Sequence, residues 1–285
     1  MKTEPFVSII MLNWNGWEYT IECLRSLERI TYKNYKIVLI DNASTDSSIE
    51  RIKSLFPNLE IIKSSSNLGF GGGNNIGIRR SIEDNSDYVW LLNNDTTVCT
   101  DALTKLVEMA ESDPKIGAVG SLIVDSDFPY GVQAWGGGKV SFIFGRAWHL
   151  KKPDNIDYLT AASVLIRTSI VETLEGFDSG FFMYWEDVDL SIRIRKLGFS
   201  LAVADLSRVY HKESSSLGKK SPLMDAYYNY SATRFFKKHS KIAEIPILFG
   251  SLGRTFKRIY EGDYQRAKIV IFETKKALSD NIYVA

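Results

Sequence analysis

Apolar, largely β-branched runs recur four times in the first third of the chain, as FVSIIML (6–12), YKIVLI (35–40), LEIIK (59–63) and YVWLL (88–92). Each has the length and composition of a strand. Between them the apolar positions shift to helical spacing, with Ile21, Leu24 and Leu27 inside 18–29, and with further helical segments over 47–56 and 73–82. The resulting βαβαβαβ order predicts an α/β fold with a mainly parallel, doubly wound sheet, a design that binds ligands beyond the carboxyl ends of its strands.

Those strand ends are the polar stretches LNWNG, DNASTD, NLGFGGGNN and NNDTT. Parallel pairing would bring all four to one edge, with Asp41 and Asp95 among them. The third stretch packs four glycines into positions 69–73. Its spacing fits no standard phosphate loop. Asn74 stands where G-x-G-x-x-G needs its last glycine, and Ile78 stands where a P-loop needs lysine. Glycines without Cβ still allow close backbone approach, and a helix beginning near Asn74 would offer free N–H groups to an anion.

Two acidic groups carry candidate chemistry. Asp95 follows the fourth run, where a lone carboxylate facing phosphate oxygens calls for Mg²⁺ or Mn²⁺ between them. An Asx-turn after the strand accounts for the same residue equally well. In MYWEDVDLSIRIRKLG (183–198), Val188 and Ile192, then Leu190, Ile194 and Leu197, mark a buried helical stripe that Gly198 ends. Glu186, Asp187 and Asp189 then fall in the first turn, which acids favour in any helix. Tyr184 and Trp185 beside them suggest an aromatic wall against which an acceptor sugar packs. Of the three histidines, only His211 follows a strand-like apolar run, and imidazole is acceptable to Mn²⁺.

Composition sets the class. The 285 residues are 45% hydrophobic and 24% charged, as in an ordinary folded protein. Cys23 and Cys99 both lie in apolar segments and read as reduced core thiols of a cytoplasmic protein. The N-terminus reads as a first strand rather than a signal peptide, and no run reaches the ~18 apolar residues that span a bilayer. The net charge of +1 hides an asymmetry: residues 208–285 hold 15 Lys and Arg against 7 Asp and Glu, while residues 1–207 hold 20 against 27. Apolar clusters among those late basic residues fit either helices lying on anionic lipid or a solvated face packed on the main domain. The triplet in WGGGKV (135–140) marks a bend between the two halves of the main domain.

The succession VSIIMLNWNG, VLIDNASTDSS, NLGFGGGNNIGI, WLLNNDTTV, TAASVLIR, GFDSGFFMYWEDVDLSIR and VYHKESSS resembles the family 2 glycosyltransferases of the GT-A fold, in particular their bacterial rhamnosyltransferase-like branch. It runs in order from about residue 6 to 216. The resemblance implies a nucleotide-sugar-binding domain over 1–217, with a nucleotide half (1–100) and an acceptor half (101–217), followed by a basic amphipathic helical extension over 218–285. Asn13, Trp14 and Asn15 stand where the family has Thr-Tyr-Asn at the base, and Asp41 where an Asp reaches the pyrimidine. Asn67, Gly73 and Asn74 match the loop beside the donor. Asn93, Asn94 and Asp95 occupy the DxD motif with only the final acid kept, which leaves metal binding to Asp95 with His211. Asp187 stands at the position of the family's catalytic base, with Glu186 as runner-up.

The same resemblance implies metal-dependent inverting transfer of a sugar, such as rhamnose from dTDP-rhamnose, to a glycan or polyprenyl-linked acceptor. The protein would work in the cytoplasm or at the inner membrane face, with no nucleic-acid partner. Two rivals remain. One is a nucleotide-sugar pyrophosphorylase, which wants a charged glycine-rich loop after its first strand, where LNWNG has no charge. The other is a module that holds a nucleotide-sugar or glycan without turning it over.

Overall fold

A computed structural model describes residues 4–127, 130–212 and 221–280. The first half alternates as the apolar pattern predicts: β1 (Val7–Asn13), α1 (Trp17–Leu27), β2 (Tyr35–Asp41), α2 (Ser48–Leu55), β3 (Glu60–Lys63), α3 (Gly69–Glu83) and β4 (Tyr88–Asn93). The chain continues through β5 (Thr96–Val98), α4 (Ala102–Ser112), β6 (Ile116–Asp125), β7 (Val132–Trp135), β8 (Gly137–Ser141), β9 (Arg146–His149), β10 (Tyr158–Leu159), β11 (Ser163–Arg167), α5 (Thr168–Thr173), α6 (Glu186–Lys196) and β12 (Ser200–His211). Three helices close it: α7 (Pro222–His239), α8 (Glu244–Tyr260) and α9 (Tyr264–Ser279).

The main sheet runs β3-β2-β1-β4-β11-β6-β12-β5, with β7 on the far side of β6. Its first four strands are parallel, as expected for βα units whose helices cover both faces. Beyond β4 the sheet turns mixed, because β11 runs antiparallel to both neighbours while β6 and β12 are parallel to each other. Alternation along β1 divides the core: Ile9 and Met11 face α1 and α4 on one side, and Ile10 with Leu12 faces α3 and α6 on the other.

Gly136, at φ +70°, makes the expected bend after β7. Gly137 and Gly138 instead lie in β8, where an added Cβ would meet the Tyr158 and Trp148 carbonyls at 1.9 and 2.0 Å. The small second sheet, β10-β8-β9, results from that close stacking.

Helix α7 belongs to the body of the protein. Its Ala232, Phe235 and Phe236 fill a third core cluster with Tyr158, Phe181, Trp185 and Val188. The expected boundary at residues 217 and 218 lies outside the described residues, as do Glu213–Ser216 of the last motif.

Candidate active site

The carboxyl ends of β1, β2 and β4 do converge, and amide side chains join them. Asn13, the last residue of β1, donates through Nδ2 to Asp41 Oδ1 at 3.2 Å and to Ser44 Oγ at 3.0 Å, and its Oδ1 accepts from Thr20 at 2.9 Å. Asn94 reaches the same Thr20 hydroxyl at 2.9 Å, which ties the turn after β4 to α1. Asn15, at φ +52°, clamps the next loop by donating its N–H to Ser44 and accepting from Thr45 N. Trp14 between them stays exposed. Asp41 is buried, its second oxygen accepting from Ser44 N at 3.3 Å.

Asn42 and Asn75 are structural keys that no sequence motif singles out. Asn42 is buried and donates to Asn67 Oδ1 and the Gly69 carbonyl while accepting from Leu68 N. It thereby fixes Asn67 against the end of β2. Asn75 exchanges two hydrogen bonds with the backbone of Phe177, at 2.9 and 2.8 Å. Neither residue carries a sequence signal beyond the general abundance of Asn at strand ends and turns.

The structure corrects the expected helix start. Helix α3 begins at Gly69, so Gly71, Gly72, Gly73 and Asn74 lie within it. Gly69 takes φ +73° with the Phe182 carbonyl 2.0 Å from where a Cβ would stand. A Cβ at Gly73 would meet Leu12 at 2.5 Å, one at Gly77 would meet Ile10 at 2.5 Å, and one at Gly71 would meet Phe177 at 3.0 Å. The close backbone approach is therefore between a helix and the sheet beneath it. Asn74 is buried and folds back onto the Phe70 carbonyl. Two of the N–H groups at the helix start are already taken, Gly69's by Asn67 and Phe70's by Phe182.

Asp95 and His211, far apart in sequence, meet through strand pairing. Strand β5 runs antiparallel to the end of β12 with His211 opposite Thr96, which sets the imidazole beside the preceding Asp95. Nε2 lies 3.2 Å from Asp95 Oδ1. On its other side, Nδ1 sits 2.9 Å from Gln133 Oε1, while Gln133 Nε2 donates to the His211 carbonyl. With Nδ1–H directed at Gln133, Nε2 turns its lone pair toward Asp95, the arrangement in which a histidine serves as a ligand. An imidazole nitrogen and a carboxylate oxygen fit a Mn²⁺- or Mg²⁺-type ion whose remaining positions come from ligand oxygens and water. No cluster of three or more His, Cys, Asp or Glu occurs among the described residues, so this pair is a partial set. Beside it opens a cleft of about 470 Å³ lined by Tyr19, Glu22, Thr97, Tyr130, Tyr210 and Lys212.

The acidic turn of α6 reaches the same edge through the segment that leads into β11. Asn93 N donates to the Ala162 carbonyl at 3.0 Å, and Ala161 N donates to Asp187 Oδ2 at 3.4 Å. Asp187 is half-buried and also accepts from Val188 N at 2.8 Å. Burial raises its pKa, with the charge of His149 working against that rise. Glu186 is only 7% exposed, and its Oε2 has no hydrogen-bond partner among the described residues. Burial, then the neighbouring Asp187 charge, push its pKa well above the ordinary glutamate value. Tyr184 and Trp185, just before the helix, are both held at φ +68°, a costly backbone for such bulky residues and a mark of functional turns.

Trp185 does not form the expected acceptor wall. It is buried among Phe235, Phe236 and Tyr228, with ring centroids at 4.9, 5.2 and 5.8 Å. Tyr184, half-buried with its ring 5.8 Å from that of Tyr228, has its pKa pushed up to about 12 by burial. Both cysteines are free thiols, as expected, and burial pushes Cys23 up to about 12.

Residues 8–174 match the model of "Glycosyl transferase family 2". The N-acetylglucosaminyl-diphospho-decaprenol L-rhamnosyltransferase of Mycobacterium tuberculosis is 27% identical over 275 residues, covering 86% of this chain and 89% of that one. Rhamnosyltransferase WbbL of Escherichia coli is 28% identical over 214 residues, 68% of this chain and 79% of its own. Among solved structures, the mannosyltransferase PcManGT from Pyrobaculum calidifontis, in complex with GDP-Man and Mn²⁺, superposes with a TM-score of 0.61 at 15% identity, over 98% of this chain and 77% of that one. The mixed sheet with its covering helices is the GT-A fold, and with the family model spanning more than half its length the chain belongs to glycosyl transferase family 2.

Proposed function

We propose that the protein is an inverting transferase that moves rhamnose from dTDP-rhamnose to a glycan carried on a polyprenyl diphosphate, at the inner face of the cell membrane. The observation that carries this reading is the meeting of Asp95, His211 and Asp187 at one sheet edge, with Asp187 tied through Ala161 and Ala162 to the residue two before Asp95. Support for the sugar and acceptor comes from the two bacterial relatives, both named rhamnosyltransferases, one of them for a decaprenyl-diphosphate substrate.

In this reading Asp187 is the base. Its raised pKa brings it nearer neutrality, where a carboxylate extracts a proton most effectively while remaining ionised. Glu186, with the stronger upward push and an unpaired oxygen, stays protonated beside it. The acceptor hydroxyl gives its proton to Asp187 as its oxygen bonds to the anomeric carbon. The bond from that carbon to the diphosphate oxygen breaks on the opposite face, and the configuration inverts. A divalent ion held by Asp95 and His211 Nε2 would supply positive charge to the departing diphosphate. Trp14, exposed above the Asn13–Asp41 network, offers a ring for the base to stack on, with Asn15, Asn67 and Asn94 ordering the surrounding loops.

The test is release of nucleoside diphosphate from a panel of sugar nucleotides, with and without Mn²⁺, in the presence of a short-chain polyprenyl-diphosphate glycan. Release with dTDP-rhamnose that depends on both acceptor and metal supports the reading. Release of pyrophosphate would favour a pyrophosphorylase. Binding without turnover would make the chain a carrier of nucleotide-sugar.

A further inference from the structure

Helix α8 is built the wrong way round for a surface helix. A helix packed on a domain ordinarily turns its apolar stripe inward and its charges to water. Here Arg254 faces the body of the protein, donating to the Gly145 carbonyl and forming a hydrogen bond with Asn229, while Arg258 binds Asp225. The outward positions are Ile245, Leu248, Phe249, Leu252, Phe256 and Ile259, all at least 40% exposed and spaced to lie along one stripe. Only Glu244, Gly253 and Lys257 interrupt the large apolar side chains on the exposed side of this helix.

The tip of the β8–β9 hairpin extends the same surface. Ile143 and Phe144 are exposed there, and the Phe144 ring lies 6.4 Å from that of Phe249. Gly145 holds the two parts together. It takes φ +57°, and a Cβ on it would come within 1.8 Å of the Pro246 carbonyl, so hairpin and helix touch backbone to backbone. Basic groups border the apolar surface: Arg146 lies over the Phe144 and Trp148 rings at 5.8 and 5.3 Å, and α9, packed on α8, exposes Lys268 and Lys275 beside Ile271 and Phe272.

We propose that α8 and the β8–β9 tip form one seat for an anionic lipid bilayer, with α8 lying in the interface. Among the described residues no helix is long and apolar enough to cross a membrane, and α8 has 17 residues. An apolar face with cations at its margin is the chemistry that sinks to the headgroup boundary and favours negative lipid. The lysines and arginines decide between a bilayer and a second copy of this chain, since the same positive margin would repel itself across a twofold interface. The seat deepens the proposed function by naming the surface that meets a lipid-linked acceptor.

Sedimentation of the full chain with phosphatidylcholine vesicles, with and without phosphatidylglycerol, tests it. The wild-type protein is expected to pellet with the anionic vesicles. Ile143→Ser with Phe144→Ser should weaken partitioning about ten-fold or more, and Leu248→Ser, Phe249→Ser and Phe256→Ser together about a hundred-fold or more. Lys268→Glu with Lys275→Glu should remove the preference for phosphatidylglycerol. All these side chains are exposed, so thermal unfolding should match the wild type. A wild-type protein that stays in the supernatant with both vesicles overturns the proposal. So does a dimer that the triple variant converts to monomer with no change in vesicle binding, which would give the face to a second copy. If the wild type pellets yet releases no nucleoside diphosphate from any donor, the proposed function fails and the seat stands.

Discussion

Asp187 and Asp189 stand two residues apart in the first turn of α6, and their surroundings could hardly differ more. Two residues along a helix is a rotation of about 200°, which sends one carboxylate to the sheet edge and the other to α7. Asp189 is fully buried, and burial alone would raise its pKa. His239 at 2.7 Å, with Arg193 and Lys238 at 2.7 and 2.8 Å, instead holds it down at about 2. Arg193 directs its other donors at the Leu174 and Gly176 carbonyls, and Lys238 bridges onward to Asp178, which also holds Arg234. Asp187 has two backbone N–H donors, an upward shift and a half-open face. One acid locks the C-terminal helices onto the domain; the other is left able to take a proton.

The comparison breaks most visibly at Asp187. Asp187→Asn keeps the shape and both backbone contacts in reach but removes the base, so nucleoside diphosphate release should fall about a thousand-fold with the unfolding midpoint unchanged or raised. Undiminished turnover would strip Asp187 of the role. On the other face, Asp189→Ala leaves Arg193, Lys238 and His239 buried without their counter-charge, at a cost of about 3–5 kcal/mol in denaturant unfolding. The pH sign follows from the lowered pKa. The native carboxylate stays ionised where the unfolded one takes a proton, so its stabilisation is present above the ordinary aspartate range and fades as pH falls toward 2. The gap between wild type and Asp189→Ala should therefore narrow on acidification. The smallest effect is expected from Glu186→Gln. A raised pKa means that the native protein keeps a proton that the unfolded chain releases, so wild-type stability drops as pH rises above the ordinary glutamate value. The glutamine variant escapes that drop, and its advantage in melting temperature should grow with pH; a constant offset would show Glu186 to be ionised in the native state.

Much of the first half was legible because strands buried on both faces write themselves as uninterrupted apolar runs. The run at 6–12 became Val7–Asn13, and that at 88–92 became Tyr88–Asn93. Helix α6 was equally plain, with acids at its start and Gly198 at φ +90° beyond its end, although Leu197 of the expected stripe proved exposed. The glycine cluster misled for a physical reason. A residue without Cβ signals only that something comes close, and the sequence does not say whether it is a ligand or the neighbouring strand. Trp185 misled likewise, since its partners Phe235 and Phe236 lie some fifty residues away on α7.

Local pattern alone determined the alternation of strands and helices, the polar edge at their carboxyl ends, the acidic helix start and the basic character of the last quarter. These depend on periodicity and composition, which are properties of neighbours in the chain. Tertiary structure decided the rest: the antiparallel β5–β12 pairing that sets His211 against Asp95, the burial that separates Glu186, Asp187 and Asp189 into three different acids, and the outward turn of α8's apolar stripe. Each of these rests on contacts between residues distant in sequence, and both a carboxyl's proton affinity and a helix's orientation are set by what packs against them.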